Sequence, residues 1–132
     1  MILVDTSVWI DVLRDRTGVK AQTLRRRLDG KEPLLSRFTQ LELLQGCADE
    51  RSWLWLSEYL DSQDYLEMSP ASWCAAARLY VDLRRRGRTI HSPIDCCIAQ
   101  VAIDHVTLLL HRDRDFVTIA GESRLTQEYV KW

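Results

Sequence analysis

The chain has 132 residues, of which 46% are hydrophobic and 28% are charged, and its formal net charge is −1. This length suits a single domain over residues 1–132 with a sizeable core, and the near-neutral charge says little by itself about partners. No apolar run is long enough to span a bilayer. Because the N-terminus lacks a basic region and Asp5 interrupts its apolar segment, we expect a cytoplasmic protein with no signal peptide.

The first predicted element is a short buried strand over residues 2–4, where three apolar residues end at Asp5. Thr6 or Ser7 is predicted to cap the following helix, because a hydroxyl group accepts hydrogen bonds from the free amides of a first helical turn. Two later helices should begin at Ser-Pro pairs, since serine caps well and proline is tolerated at the first helical position. The remaining pattern predicts strands at 33–36, 65–68 and 106–110, helices at 20–28, 39–45, 50–60, 70–86 and 94–104, and a short helical entry at 112–119, with no element in the tail.

Strands that alternate with helices predict an α/β fold, a three-layer α/β/α sandwich around a mainly parallel central sheet. In such sheets, ligands bind outside the carboxyl ends of the strands. Asp5 and the segment 111–115 both follow predicted strands, so they should meet at the same edge of the sheet.

Acidic residues are the candidates for a functional site. Asp5 directly follows a strand, although it could equally be a turn or capping residue. Asp95 falls in a first helical turn, where the helix dipole favours a carboxylate without any catalytic purpose. Glu42 lies among leucines on a helix, and by itself it is typical of a solvated glutamate. Asp113 and Asp115 flank an arginine, and either could serve while the other caps a helix or pairs with an arginine.

Gathered together, these carboxylates need a cation. Two unit charges about 4 Å apart repel by roughly 4 kcal/mol at an effective dielectric constant near 20. Mg²⁺ prefers hard oxygen ligands and keeps several waters, and Mn²⁺ fits similar sites. Such an ion can activate water and offset the charge that develops on a phosphodiester. The pattern therefore favours a metal-dependent enzyme that acts on phosphate esters.

Four blocks of sequence, in this order, resemble those of PIN-domain ribonucleases, and most closely of VapC-type toxins of bacterial toxin–antitoxin systems. They are ILVDTSVWID, QLELLQG, RRRGRTIHSPIDCCIAQVAI and LLLHRDRDF, and the match extends over essentially the whole chain. The resemblance implies the sandwich fold described above. It also implies that one acidic quartet holds one or two Mg²⁺ or Mn²⁺ ions and orients a water for attack on RNA phosphate. This quartet is Asp5, Glu42, Asp95 and Asp113.

The resemblance gives further expectations for single residues. Thr6 looks like a supporting hydroxyl that steadies the Asp5 carboxylate or a water on the metal. His111 stands where many relatives have Thr or Ser, which alters the hydrogen bonding around the metal ligands. Asp115 is a second candidate for the fourth acid, after Asp113.

The resemblance also implies partners. Such toxins are typically neutralised by an antitoxin encoded beside them, a segment of which lies across the nuclease groove. They usually dimerise, so we expect a homodimer or a toxin–antitoxin hetero-oligomer. Structured RNAs, with tRNA prominent among them, are the expected substrates.

Arginine runs and tryptophans add weaker indications. Arg84, Arg85, Arg86 and Arg88 could contact RNA phosphates through bidentate geometry, and so could the run 25–27. The alternatives are favourable charge at a helix C-terminus for the first group and a solvated face for the second. In the segment 53–56, one tryptophan is expected in the core and the other exposed or at an interface.

Other classes of protein fit less well. A haloacid dehalogenase-type enzyme needs a second Asp where this chain has Ser7, and a response-regulator receiver needs a lysine after a late strand, yet no lysine lies between Lys31 and Lys131. The four cysteines have no C-x-x-C spacing, so we expect reduced, buried thiols rather than a zinc site. A metal-dependent phosphohydrolase of another phosphate ester and a non-catalytic PIN-fold interaction module remain as alternatives.

Overall fold

The computed structural model describes all 132 residues and contains five strands and seven helices. All neighbouring strands are parallel, and their order across the sheet is β3-β2-β1-β4-β5. This confirms the predicted α/β fold. The elements are β1 (Ile2–Val4), α1 (Thr6–Arg14), α2 (Val19–Leu28), β2 (Pro33–Ser36), α3 (Arg37–Gln45), α4 (Glu50–Asp61), β3 (Asp64–Leu66), α5 (Pro70–Arg85), α6 (Pro93–Asp104), β4 (Leu108–His111), α7 (Arg114–Ala120) and β5 (Gln127–Tyr129).

Two apolar clusters cover the two faces of the sheet, because successive side chains of a strand point to opposite faces. Ile2 and Val4 of β1 pack with apolar residues of α1, α2 and α4. Leu3, between them, packs on the other side with residues of α5, α6 and α7. The sheet therefore forms the middle layer of the predicted three-layer sandwich.

The order in which successive strands are added to the sheet changes direction between β1 and β4. From β1 the chain moves outward to β2 and β3, and it then returns past β1 to begin β4 on the other side. β1 and β4 are hydrogen-bonded neighbours, with Ile2 opposite Leu108. A crevice opens at such a switch point, outside the carboxyl ends of the two strands. Asp5 and the segment 111–115 lie at this crevice, as the sequence predicted.

The C-terminal strand β5 was not predicted. It has only three residues, Gln127 to Tyr129, all half-buried, and it pairs with β4 at one edge of the sheet. A strand this short and polar has no alternation that distinguishes it from a loop. None of the helices is both long and apolar enough to cross a membrane. All four cysteines are free thiols, but only Cys96 is fully buried and Cys74 is exposed, so the prediction that they are buried was wrong for Cys74.

Strand β4 begins at Leu108, so the prediction of a strand from Val106 was wrong at its start. Val106 instead ends helix α6 in a left-handed conformation, with φ 50° and 91% of its surface exposed. Its amide donates to the carbonyl of Ile103, and the amide of Thr107 donates to that of Ala102. This is the Schellman pattern of a helix C-terminus, in which glycine usually takes the left-handed position. A β-branched valine there is strained.

We predict that Val106→Gly stabilises the protein. The left-handed conformation costs a residue with a Cβ about 1–2 kcal/mol, part of which glycine returns through its greater freedom in the unfolded chain. A net gain of about 1 kcal/mol corresponds to a rise in melting temperature of roughly 4 °C for a domain of this size. Thermal unfolding followed by circular dichroism measures it. The matched control is Val117→Gly in α7, which should lower the melting temperature; a fall for Val106→Gly as well would contradict the strain argument.

Candidate functional site

Asp5 is held rigidly at the start of helix α1. It is 6% exposed, and its amide donates to the carbonyl of Leu110 on β4 over 2.9 Å. One carboxylate oxygen accepts hydrogen bonds from the amide of Ser7 at 3.0 Å and from the Ser7 hydroxyl at 2.6 Å. Asp5 is therefore itself the N-cap of α1, and the prediction that Thr6 or Ser7 caps this helix was wrong. Aspartate can fill this position because its carboxylate accepts the same amide bonds as a hydroxyl.

Thr6 contacts a different acid from the one expected. Its hydroxyl lies 3.2 Å from a carboxylate oxygen of Glu42 on α3, and 3.0 Å from the hydroxyl of Thr39. Ser7 makes the contact with Asp5 that had been predicted for Thr6. Sequence reasoning missed Ser7, although a hydroxyl two residues after a helix cap is a recognisable signal for this contact. The Ser7 hydroxyl also accepts from the amide of Arg112, so it ties the ends of β1 and β4 together.

The other acids come from the opposite side of the crevice. Asp95 lies in the first turn of α6, which begins as predicted at the capping Ser92 and Pro93. Asp113 caps α7 and accepts a hydrogen bond from the amide of Asp115 at 2.9 Å. Carboxylate oxygens of Asp95, Asp113 and Asp115 all lie within 4.8 Å of one another. The structure thus places both Asp113 and Asp115 beside Asp95, whereas the sequence pattern predicted that only one of the two would belong to the site.

The electrostatics show that the five acids share one site. Burial raises the pKa of Asp95 from its ordinary value of 3.8 to about 7, and the nearby charges of Asp113, Asp5, Asp115 and Glu42 add to this, in that order. Burial likewise raises the pKa of Glu42, with a contribution from Asp5. Burial also raises the pKa of Asp5, against the hydrogen bonds from Ser7. The neighbouring carboxylates therefore make ionisation of Asp95 less favourable, and Asp5 does the same to Glu42.

The donor set fits a divalent cation. None of the five carboxylates forms an ion pair with a lysine or arginine of the chain. The ligands on offer are hard carboxylate oxygens, which suit Mg²⁺ or Mn²⁺ and not a thiolate-loving metal. Three of the acids are close enough together for a single ion to contact more than one of them.

The arginines predicted to bind RNA lie at the end of α5 and in the loop after it. Arg86 and Arg88 both contact Glu122, at 2.7 and 3.7 Å. Arg84 lies over the ring of Tyr80, and Arg85 forms no ion pair. The same loop reaches the acids, since the amide of His91 donates to Asp115 over 2.8 Å. In the run 25–27, Arg27 pairs with Glu128 across to β5.

Comparisons with known proteins agree with this geometry. The family model described as PIN domain matches residues 2–122. The chain is 34% identical over 128 residues to "VapC ribonuclease Mb1587" of Mycobacterium bovis and to "Ribonuclease VapC11" of Mycobacterium tuberculosis, covering 95% of this chain and 96% of each relative.

Solved structures share the fold at lower identity. VapBC2 from Rickettsia felis, bound to a DNA fragment from its promoter, matches with a TM-score of 0.78 and 19% identity, covering 97% of this chain and 98% of that one. VapBC-5 from Mycobacterium tuberculosis, a member of the VapBC family of toxin–antitoxin systems, matches with a TM-score of 0.70 and 22% identity, covering 97% of both chains.

We predict that Asp95→Asn raises the melting temperature of the metal-free protein at pH 8. An acid whose pKa is raised by folding binds more protons in the native state, so wild-type stability should fall as the pH rises from about 4 through 7. The amide removes this loss, and we expect a gain of roughly 4 °C, the equivalent of about 1 kcal/mol. Differential scanning calorimetry in EDTA at pH 5 and pH 8 measures it, and the gain should be smaller at pH 5.

The same variant should lose much of the increase in melting temperature that Mg²⁺ gives the wild type, because a neutral amide is a weaker ligand than a carboxylate. Asp104→Asn is the matched control, since Asp104 lies at the other end of α6 and bonds Ser72 instead. An Asp95→Asn protein that is destabilised without metal, and that responds normally to Mg²⁺, would remove Asp95 from the cluster.

Proposed function

This chain belongs to the PIN-domain family and, within it, to the VapC ribonucleases, and from that membership we propose that it is a metal-dependent endoribonuclease that acts as the toxin of a toxin–antitoxin pair. We propose further that its 132 residues work as one nuclease domain in the cytoplasm. The observation that carries the proposal is the gathering of five carboxylates, without a counter-charge from the chain, at the switch point of a parallel sheet.

In this proposal Asp5, Glu42, Asp95 and Asp113 are the metal-binding and catalytic acids, and Asp115 supports Asp113. Mg²⁺ is the expected cofactor, and Mn²⁺ substitutes for it. When bound, the cation lowers the pKa of a water and offsets negative charge on the phosphodiester. The chain's own contribution is orientation: Ser7 fixes the Asp5 carboxylate, and Thr6 holds that of Glu42.

The RNA backbone is proposed to approach from the end of α5. Arg84, Arg85, Arg86 and Arg88 are exposed and lie in or beside the loop whose His91 amide contacts Asp115. Arginine suits phosphate because its planar guanidinium group can donate two parallel hydrogen bonds. Arg86 and Arg88 would exchange Glu122 for phosphate, and such exposed ion pairs are weak enough to allow this. Structured RNA, including tRNA, is the proposed substrate class.

The activity is tested by incubating the purified protein, free of antitoxin, with total cellular RNA. Parallel reactions contain Mg²⁺, Mn²⁺ or EDTA, and Asp5→Asn serves as the inactive control. We expect discrete fragments that require both the metal and Asp5, with at least a hundredfold loss of rate in the variant, comparable to the removal of a charge-stabilising catalytic group.

Two other results would favour one of the alternative functions instead. Hydrolysis of a small phosphate ester without cleavage of any RNA would identify a phosphohydrolase of another substrate. No hydrolysis together with no metal-dependent change in melting temperature would indicate a non-catalytic interaction module.

An antitoxin is the proposed partner, and α1, α2 and α4 offer the surface for it. A groove of about 580 Å³ between these helices is lined in part by Trp9, Leu24 and Tyr59. The Trp9 indole nitrogen is buried and has no hydrogen-bond partner in the chain. An unsatisfied buried donor costs free energy. Half of the residues that line the groove are apolar, which suits apolar side chains of a bound antitoxin segment.

Trp55 of α4 extends this surface, since its ring stacks on that of Tyr59 at 5.9 Å between centroids. The prediction that one tryptophan of α4 lies in the core was wrong: Trp53 is 44% exposed and Trp55 is 60% exposed, while Leu56 and Leu60 fill the core positions. A second apolar face lies between α3 and α5, where the exposed Leu41 and Trp73 flank a cavity of about 280 Å³. We assign the first face to the antitoxin and the second to a homodimer, since exposed aromatic residues are typical of interface centres.

We predict that Trp55→Ala weakens binding of the antitoxin encoded beside this chain by at least tenfold, because buried tryptophans carry a large share of interface free energy. Isothermal titration calorimetry measures the affinity, and analytical ultracentrifugation measures the dimer. Trp73→Ala, which changes a similarly exposed residue on the second face, is the matched control and should weaken the dimer instead. The reverse pattern would exchange the two assignments.

A further inference from the structure

His111 is the last residue of β4, and both nitrogens of its buried ring are engaged. Nδ1 accepts a hydrogen bond from the amide of Asp113 at 3.1 Å, and Nε2 lies 2.6 Å from the side-chain oxygen of Gln127 on β5. A backbone amide can only donate, so Nδ1 carries no proton. The ring is therefore neutral, with its hydrogen on Nε2 donated to Gln127.

We propose that His111 and Gln127 form a positioning pair that sets the backbone of Asp113, and through it the carboxylate that faces Asp95. This inference rests on the proposed metal site. It gives β5, which carries none of the five acids, a role in that site, and it gives Gln127 a function that the sequence did not suggest.

The His111 ring can fix the position of the Asp113 amide because its packing prevents the ring from rotating. It is completely buried, and it packs at 5.1 Å between centroids against Phe116 and at 5.7 Å against Tyr129. The hydrogen bond to Gln127 then selects the tautomer. If the hydrogen lay on Nδ1 instead, that nitrogen and the Asp113 amide would be two opposed donors, and the turn would have to open.

Asp113 needs this support because it lies, with Arg112, in the two-residue connection between strand β4 and helix α7. Its backbone is extended, with φ −128° and ψ 120°, and its side chain caps α7 by accepting from the amide of Asp115. The capping hydrogen bond fixes the Asp113 carboxylate, and the hydrogen bond to the His111 ring fixes the Asp113 backbone amide. Groups that orient metal ligands typically change metal affinity 10- to 100-fold when they are removed.

Two substitutions at position 111 separate positioning from packing. In His111→Asn, a side-chain oxygen occupies roughly the place of Nδ1 and can still accept from the Asp113 amide, but it cannot reach Gln127. In His111→Gln, the amide group reaches Gln127 from roughly the place of Nε2, but nothing accepts from Asp113. Both lose the aromatic packing and should have similarly lowered melting temperatures.

The measurement is Mn²⁺ affinity of the full chain, read by the electron paramagnetic resonance signal of free Mn²⁺ at a temperature where all variants are folded. We expect the dissociation constant to rise about tenfold for His111→Gln, and to stay near the wild-type value for His111→Asn. His105→Gln is the control, because His105 bonds the carbonyl of Glu67 away from the acids. Its affinity should not change.

A second measurement reads the tautomer directly. The ¹⁵N chemical shifts of the wild-type imidazole should show a neutral ring protonated on Nε2, and Gln127→Met should lose this signature and bind Mn²⁺ about tenfold more weakly.

Wild-type affinity in both His111→Gln and Gln127→Met would overturn the positioning role and leave His111 a packing residue. A wild-type protein that binds no Mn²⁺ at all would instead overturn the proposed function on which the inference rests. The two failures are therefore distinguished by the wild-type titration alone.

Discussion

The pairing of β1 with β4 is the constraint on which the rest of the molecule depends. The amide of Asp5 bonds the carbonyl of Leu110, and the Ser7 hydroxyl bridges the Asp5 carboxylate and the amide of Arg112. The first acid in the sequence is thus fixed beside the segment that carries Asp113, more than a hundred residues later. Because the chain changes direction between these strands, no other element fills the space beyond their ends. Helices α3 and α6 can then add their acids from the two sides.

The charges elsewhere in the chain keep the site negative. Arg112 follows His111 and could have neutralised a nearby acid, but its guanidinium group pairs with Asp11 at 2.9 Å instead. Arg27 is held by Glu128 in the same way. Only neutral donors contact the five acids: the Ser7 and Thr6 hydroxyls and backbone amides. Neutral donors fix the positions of carboxylates without cancelling their charge, which is what a site for a divalent cation requires.

Much of this could be predicted from the sequence, and the limits have physical causes. Strand β1 and the Ser-Pro helix starts were predicted because local signals, an apolar run and a cap, determine them. The residue pattern alone did not decide between Asp113 and Asp115, and only the family resemblance ranked Asp113 first, since the choice depends on how α7 is oriented against Asp95. Strand β5 was missed because its own residues have no strand pattern, and only pairing with β4 makes this segment a strand. The core position assigned to a tryptophan of α4 was wrong because leucines at 56 and 60 already fill that face.

The site joins both halves of the sandwich. Asp5 and Glu42 are carried by the layer of α1 and α3, whereas Asp95, Asp113 and Asp115 are carried by the layer of α6 and α7. Repulsion among these acids opposes closure of the two layers at this edge, and packing of the two apolar clusters against the shared sheet opposes the repulsion. A cation that binds all of them would be bound only by the closed arrangement, so its binding free energy adds to stability. The metal affinity and the free energy of unfolding therefore both depend on the balance between repulsion among the acids and packing of the apolar clusters.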